Sequence, residues 1–246
     1  MDSVASVGEA VQDRPADAAA AATLHIMPLA TLVTAVVALV VGGALGWWPL
    51  AAWTGRSMTG ERTSERMPLR TVRLAAAAVT AVTFAALALR FGLTWILPAL
   101  LVFAASATVL TLVDLAEKRL PNAVIFPTLG AVAVLLVPAS WAAGAWMSLL
   151  WAVVGSAAMF AHNFLLALIS PASMGMGDVK LALVIGLLLG WFGLTAWLIA
   201  LLAAFVVGGL VAIIALLLRR VTLRGSIPFG PSMLAGALIA LLAVGS

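Results

Sequence analysis

Two carboxylates stand where a chain this apolar has few reasons to keep them: Asp114 in ATVLTLVDLAEKRLPNAVIFP and Asp178 in SMGMGDVKLALVIG. Held close together, two carboxyl groups can run a complete hydrolysis, one taking a proton from water while the other gives a proton to a scissile carbonyl. Like charges at short range do not both ionise cheaply, so such a pair keeps one proton over a range of pH. This is aspartyl-protease chemistry, and it asks for no metal, cysteine, serine or histidine. Gly175 and Gly177 flank Met176 just ahead of Asp178; glycine permits positive φ and lets another backbone approach, so a substrate strand could lie against such a turn. Two other readings stand beside this one. Boundary carboxylates also simply face water or pair with bases such as Lys118, Arg119 and Lys180, and a small proton-coupled transporter could use Asp114 and Asp178 as a relay. Against the relay, both acids fall at one face, and no further acid or base continues a path through the middle or far leaflet.

The elements that must position this pair follow from composition. With 65% hydrophobic residues, 9% charged residues and a mean hydropathy of +1.22, the chain is far from the balance of a soluble domain. Its apolar runs are continuous rather than alternating and have the roughly 17 to 25 residues that a helix needs to cross about 30 Å of hydrocarbon. The expected fold is an all-α membrane protein, a polytopic bundle of about eight transmembrane helices, near residues 26–53, 74–90, 93–113, 123–139, 144–169, 179–192, 194–218 and 229–245. A break at Trp191, Phe192 and Gly193 separates the sixth span from the seventh. Residues 1–25 read as a flexible acidic tail without the basic start of a signal peptide. Residues 26–246 read as a single membrane domain with a short cytoplasmic loop at 54–73.

Charge orients the bundle. Arg56, Arg62, Arg66, Arg70, Arg73, Lys118, Arg119, Lys180, Arg219, Arg220 and Arg224 fall on one side of this layout, and Arg14 and Arg90 on the other. The basic side is expected to be cytoplasmic, with both termini outside. In so apolar a chain these bases set membrane orientation, and nucleic-acid binding is not expected. Of the nine acids, Asp2, Glu9, Asp13 and Asp17 lie in the tail and Glu61 and Glu65 among arginines, leaving Asp114, Glu117 and Asp178. Asp114 closes the third span and Asp178 opens the sixth, so both belong at the cytoplasmic boundary. A carboxylate deeper in the bilayer would cost about 2.5 to 3.5 kcal/mol, which makes such acids functional candidates. The helix dipole disfavours an anion at the C-terminal end that holds Asp114 and favours one at the N-terminal end that holds Asp178. Asp178 is therefore expected to be the base and Asp114 the acid, modestly, since Lys118 works against this bias while Lys180 works with it.

Three motifs in order resemble the type IV prepilin peptidase family, membrane aspartyl proteases of the GxGD type. DLAEKRLPN at 114–122 resembles the family's first aspartate followed by a basic turn and Leu-Pro-Asn; GMGDVKL at 175–181 resembles its GxGD motif; IPFGPSMLAG at 227–236 resembles its late Pro-Phe-Gly-Pro element. The resemblance covers a peptidase core at about 95–246. It implies that Asp114 and Asp178 are the catalytic pair, supported by Gly175, Gly177, Lys180, Pro121, Asn122, Pro228 and Gly230. It also implies a type IV prepilin or pseudopilin precursor as substrate, its short basic leader cut at the cytoplasmic face of a bacterial-type inner membrane. No cofactor is implied for peptidase activity. Longer members carry a large first cytoplasmic loop with paired Cys-x-x-Cys motifs and a zinc-bound subdomain. Here that loop is short and the chain has no cysteine, so no metal site is expected. Many members also methylate the new N-terminus with S-adenosylmethionine, and no residue here is assigned to that step.

The remaining polar residues read as structural. His162 and Asn163 inside the fifth span are expected to hydrogen-bond a neighbouring helix, and His25 to be interfacial. Trp47, Trp48, Trp53, Trp141 and Trp191 suit an aromatic belt. Gly208, Gly209 and Gly236 are expected at close helix contacts. Pro121 and Asn122 are expected to form the turn after Asp114, with Asn122 capping the next helix.

Overall fold

The computed structural model describes residues 14–58, 68–169, 174–218 and 228–244. Residues 1–13 and the bases Arg62, Arg66, Arg219, Arg220 and Arg224 lie outside the described residues, as do Glu61 and Glu65. Among the described residues the chain is all α. The first helix, α1, runs from Arg14–Leu45 through a π-helical turn, Gly46–Leu50, into Ala51–Ser57. It begins earlier than the apolar run, because an alanine-rich stretch of high helix propensity precedes it; the apolar part is Leu29–Ser57. Pro49 lies within the π turn, where its missing N–H and its ring are incompatible with regular α-helical bonding.

Seven helices follow: α2 (Leu69–Phe91), α3 (Leu97–Glu117), α4 (Asn122–Ala143), α5 (Trp146–Ile169), α6 (Met176–Trp191), α7 (Leu194–Leu217) and α8 (Gly230–Ala243). Each of the eight expected spans has a helix, with displaced ends. Six are long and apolar enough to cross a membrane. The other two, α6 and α8, have 16 and 14 residues. Gly193 at φ 98° makes the break between α6 and α7, a conformation that costs a residue without a Cβ little.

The centre of the bundle is α3, two-thirds of whose apolar window is buried (67%), against 11% for α7 at the rim. Hydroxyl pairs tie α3 to both neighbours: Thr80 Oγ1 donates to Thr108 Oγ1 at 3.1 Å, and Thr128 Oγ1 to Ser106 Oγ at 2.7 Å. In an apolar surround such hydroxyls gain from pairing with each other. Apolar all round, α6 is buried along most of its length. It nests on α5 through glycines, so that a Cβ on Gly186 would collide with the Gly155 carbonyl oxygen. The same close packing joins α8 to α7 at Gly236, and Gly208 makes room for Phe229. Gly209, expected at a close contact, faces open space.

Connections alternate between two ends. At one end Trp191 Nε1–H donates to Ser140 Oγ at 2.7 Å, and Arg90 donates to the carbonyls of Leu242 and Val244 at 3.3 and 2.8 Å. Those carbonyls close α8, where the helix has no further N–H of its own to offer them. The other end gathers the close of α1 and α3 and the start of α4, α6 and α8, and it holds both acids.

Candidate active site

Asp114 lies in the last turn of α3 and Asp178 in the first turn of α6. Both are buried, 4% and 8% exposed, and near enough for their charges to interact. Asp178 is seated by local geometry. Its Oδ2 accepts the Gly175 N–H at 3.3 Å, satisfying a donor that the helix start leaves without an intrahelical partner. Asp114 is met instead by a distant backbone, the N–H of Gly230 at the start of α8, which faces its carboxyl group. Its Oδ2 is buried and has no hydrogen-bond partner among the described residues, an arrangement that folded proteins avoid unless a site needs the atom.

Gly230 closes over that oxygen: a Cβ there would sit 2.6 Å from Asp114 Oδ2 and 3.4 Å from its carboxyl carbon. Pro228 stands just ahead of α8, with Phe229 as the residue that starts it. The late motif thus brings a backbone, not a side chain, to the first aspartate.

Gly177 serves the same purpose on the other side. Neither Gly175 nor Gly177 adopts a positive φ, so the conformational freedom expected of them is not used. What Gly177 provides is space, since a Cβ would come 2.9 Å from Leu120 Cβ, whereas one on Gly175 would meet nothing closer than 3.6 Å. The space beside Gly177 is filled by this chain's own Leu120. That side chain is buried and also reaches Gly230, where an added Cβ would lie 3.2 Å from Leu120 Cδ1. Leu120 therefore packs between the glycine preceding Asp178 and the glycine covering Asp114. Sequence reasoning passed over it, because a leucine before a proline reads as an ordinary turn residue.

The turn that presents Leu120 is held at several points. Lys118 ends α3 in the left-handed region at φ 52°, its N–H bonded to the Asp114 carbonyl at 2.8 Å. Arg119 donates through Nη2 to the Ser57 carbonyl at 2.6 Å, and its Nε pairs with Glu117. Pro121 is the residue before α4, and Asn122 is its first residue without making a side-chain cap. The expected cap is not made because Pro121 holds the N-cap position and Asn122 is already helical; its Oδ1 instead accepts from Lys180 Nζ at 3.1 Å, linking the turn to α6. His162 and Asn163 are not part of this site. Asn163 donates to Met159 O in its own helix at 2.8 Å rather than to a neighbour, and His162 meets the Phe205 ring edge-on at 6.4 Å. No group of three His, Cys, Asp or Glu side chains placed to hold a metal occurs among the described residues.

Two buried carboxyl groups brought together from separate helices, each facing a backbone N–H, can divide the roles of base and acid. The sequence profile of the type IV leader peptidase family matches residues 101–213, a stretch that contains both aspartates. The chain is 33% identical over 171 residues to the prepilin leader peptidase/N-methyltransferase of Bacillus subtilis (strain 168), covering 68% of this chain and 64% of that protein. It is 28% identical over 154 residues to the protein of the same name from Stutzerimonas stutzeri, covering 62% of this chain and 52% of that one. The chain thus aligns with little more than half to just under two-thirds of these relatives' lengths. No solved structure matches.

Proposed function

Residues 101–213 belong to the type IV leader peptidase family, and from that premise we propose that this multi-pass membrane protein is an intramembrane aspartyl endopeptidase. Its substrate is a type IV prepilin or pseudopilin precursor, and it removes the short basic leader ahead of the precursor's apolar helix. The observation that carries this reading is the buried pair Asp114 and Asp178, with Asp114 Oδ2 unpaired beside Gly230.

In the reaction Asp178 takes a proton from a water molecule, whose oxygen attacks the scissile carbonyl carbon. Asp114 gives its proton to the carbonyl oxygen. Collapse of the resulting diol breaks the C–N bond as a proton passes to the leaving amine. The roles follow the ends of the helices that carry the acids: Asp178 lies where N–H groups favour an anion and accepts one of them, while Asp114 lies where carbonyls disfavour one, a bias that the Gly230 N–H facing its carboxyl group reduces. Cleavage of a pilin-like precursor co-expressed with this chain and with its aspartate variants tests the assignment. The relatives' names add N-methyltransferase. Methylation of the new N-terminus, with S-adenosylmethionine as donor, is read on the same cleaved product as the mass of one added methyl group.

Leu120 acts in this scheme as a positioning residue. Leu120→Ala leaves a void between Gly177 and Gly230, and it is expected to lower kcat about tenfold by loosening the carboxyl pair, with KM little changed. Leu120→Met, close in volume, restores most of the rate. A rise in KM at constant kcat would instead place Leu120 in substrate binding.

The site-bearing end faces the cytoplasm and both termini lie outside, as the basic residues on that end require. Because the chain has no cysteine, single cysteines introduced near 60, 118, 175 and 222 report topology without background. They are expected to resist an impermeant thiol reagent applied to intact cells. Labelling at 118 or 175 from outside would overturn the orientation and separate the acids from a cytoplasmic leader.

A further inference from the structure

A cavity of about 680 Å³ lies between the end of α1 and the turn after α3. Its size falls in the range of small-molecule sites, about 300 to 1,000 Å³. Pro49, Leu50 and Trp53 line it from α1, and Pro121 from the turn. Two guanidinium groups complete the lining, Arg56 and Arg119, and no acidic side chain among the described residues lines it. Arg119 is held there by Glu117 and the Ser57 carbonyl. Arg56 is exposed in the last turn of α1 and makes no hydrogen bond or ion pair with any described residue.

We propose that this groove seats the headgroup of an anionic phospholipid. The phosphate lies between Arg56 and Arg119, and the glycerol end lies on Pro49, Leu50 and Trp53. Three observations favour this occupant. The charge is complementary, since two guanidinium groups converge on a cavity with no acid among its described lining residues. The remaining lining is apolar, which a free phosphate could not use but the acyl-bearing end of a lipid can. The groove also opens at the end of a membrane-spanning helix, beside the exposed Trp47 and Trp48, where headgroups lie. A nucleoside methyl donor fits less well. Its sulfonium would face two cations, and its ribose would find no carboxylate among the lining residues. A lipid seated here would brace the turn that carries Leu120.

The test uses the full chain in nanodiscs of phosphatidylcholine with and without phosphatidylglycerol. Retained lipid is read by native mass spectrometry and stability by the thermal midpoint. Phosphatidylglycerol is expected to bind selectively and raise the midpoint of the wild type. Arg56→Gln, folded as well as wild type in phosphatidylcholine alone, is expected to weaken that binding five- to tenfold, the effect of one guanidinium at a charged headgroup. Arg56→Lys retains most of it. Arg70→Gln removes an exposed base from the same end outside the groove, and it is expected to have no effect. Equal loss in Arg70→Gln and Arg56→Gln would reduce the effect to diffuse surface charge and overturn the site. So would an unchanged affinity in Arg56→Gln. The same Arg56-dependent stabilisation by inorganic phosphate, or by S-adenosylmethionine, in phosphatidylcholine alone would transfer the groove to that ligand. Because binding and melting are the readouts, the result stands or falls independently of the peptidase assignment.

Discussion

Asp114→Asn and Asp178→Asn each leave a co-expressed pilin-like precursor uncut, with the cleavage rate down about 10³-fold or more, the upper part of the range for losing a general acid or base. Asparagine keeps the shape of the side chain and removes a charge that is costly to bury. Both variants should therefore insert and accumulate as the wild type does, and the loss is one of chemistry rather than of folding. The double variant Asp114→Asn/Asp178→Asn is expected to be no slower than either single one, because two groups that act as a unit are lost together when one is lost. Quantitative cleavage by purified protein, with inserted enzyme measured in the same membranes, decides this. Near-normal cleavage by either single variant would remove that aspartate from the mechanism. Multiplying losses in the double variant would mean that the two carboxyl groups work separately.

Gly230→Ala is the second large effect. The added methyl would lie 2.6 Å from Asp114 Oδ2, closer than real contacts allow, and the carboxyl group is the part free to turn away. The protein is expected to fold, while kcat falls about 10²-fold, the cost of displacing a reacting group by about an ångström. Gly175→Ala is the contrast. There the nearest atom is 3.6 Å away and φ is −76°, so alanine fits without strain, and cleavage is expected within about twofold of wild type, in line with a substitution that neither crowds nor strains its surroundings. Gly177→Ala falls between, since it presses on Leu120 Cβ at 2.9 Å, and Leu120→Ala in the same chain should recover part of its loss. The motif GMGD presents two glycines as equals, and parallel measurement of the three variants separates them. Equal and large losses in Gly175→Ala and Gly230→Ala would show that the glycines serve substrate contact or backbone flexibility rather than room around the aspartates.

Much of the bundle is legible in the sequence because a bilayer makes span length and apolarity local properties of the chain. Each run must satisfy its own backbone as a helix whatever its neighbours do. The eight helices, the break at Gly193 and the placing of Asp114 and Asp178 at one end follow from that alone. Helix ends are less legible, since turns of helix outside the apolar core cost little. Hence α1 starts at Arg14, and Asp114 sits inside the last turn of α3 rather than at its close.

Contacts between distant segments cannot be read this way. Asn122 has the side chain of a helix cap, yet its carbonyl oxygen is claimed by Lys180 from another helix. Gly175 and Gly177 have the same intrinsic freedom, and only the arrival of Leu120 makes one of them necessary. Arg56 and Arg119 read as two members of a basic rim until α1 and the turn after α3 enclose a cavity between them. The sequence by itself determined the helices, their alternation and the two acids, because hydropathy and charge act along the chain. Only the tertiary structure decided that Leu120 packs between two glycines and that Gly230 covers an unpaired oxygen of Asp114, because those contacts depend on how closely separate helices approach.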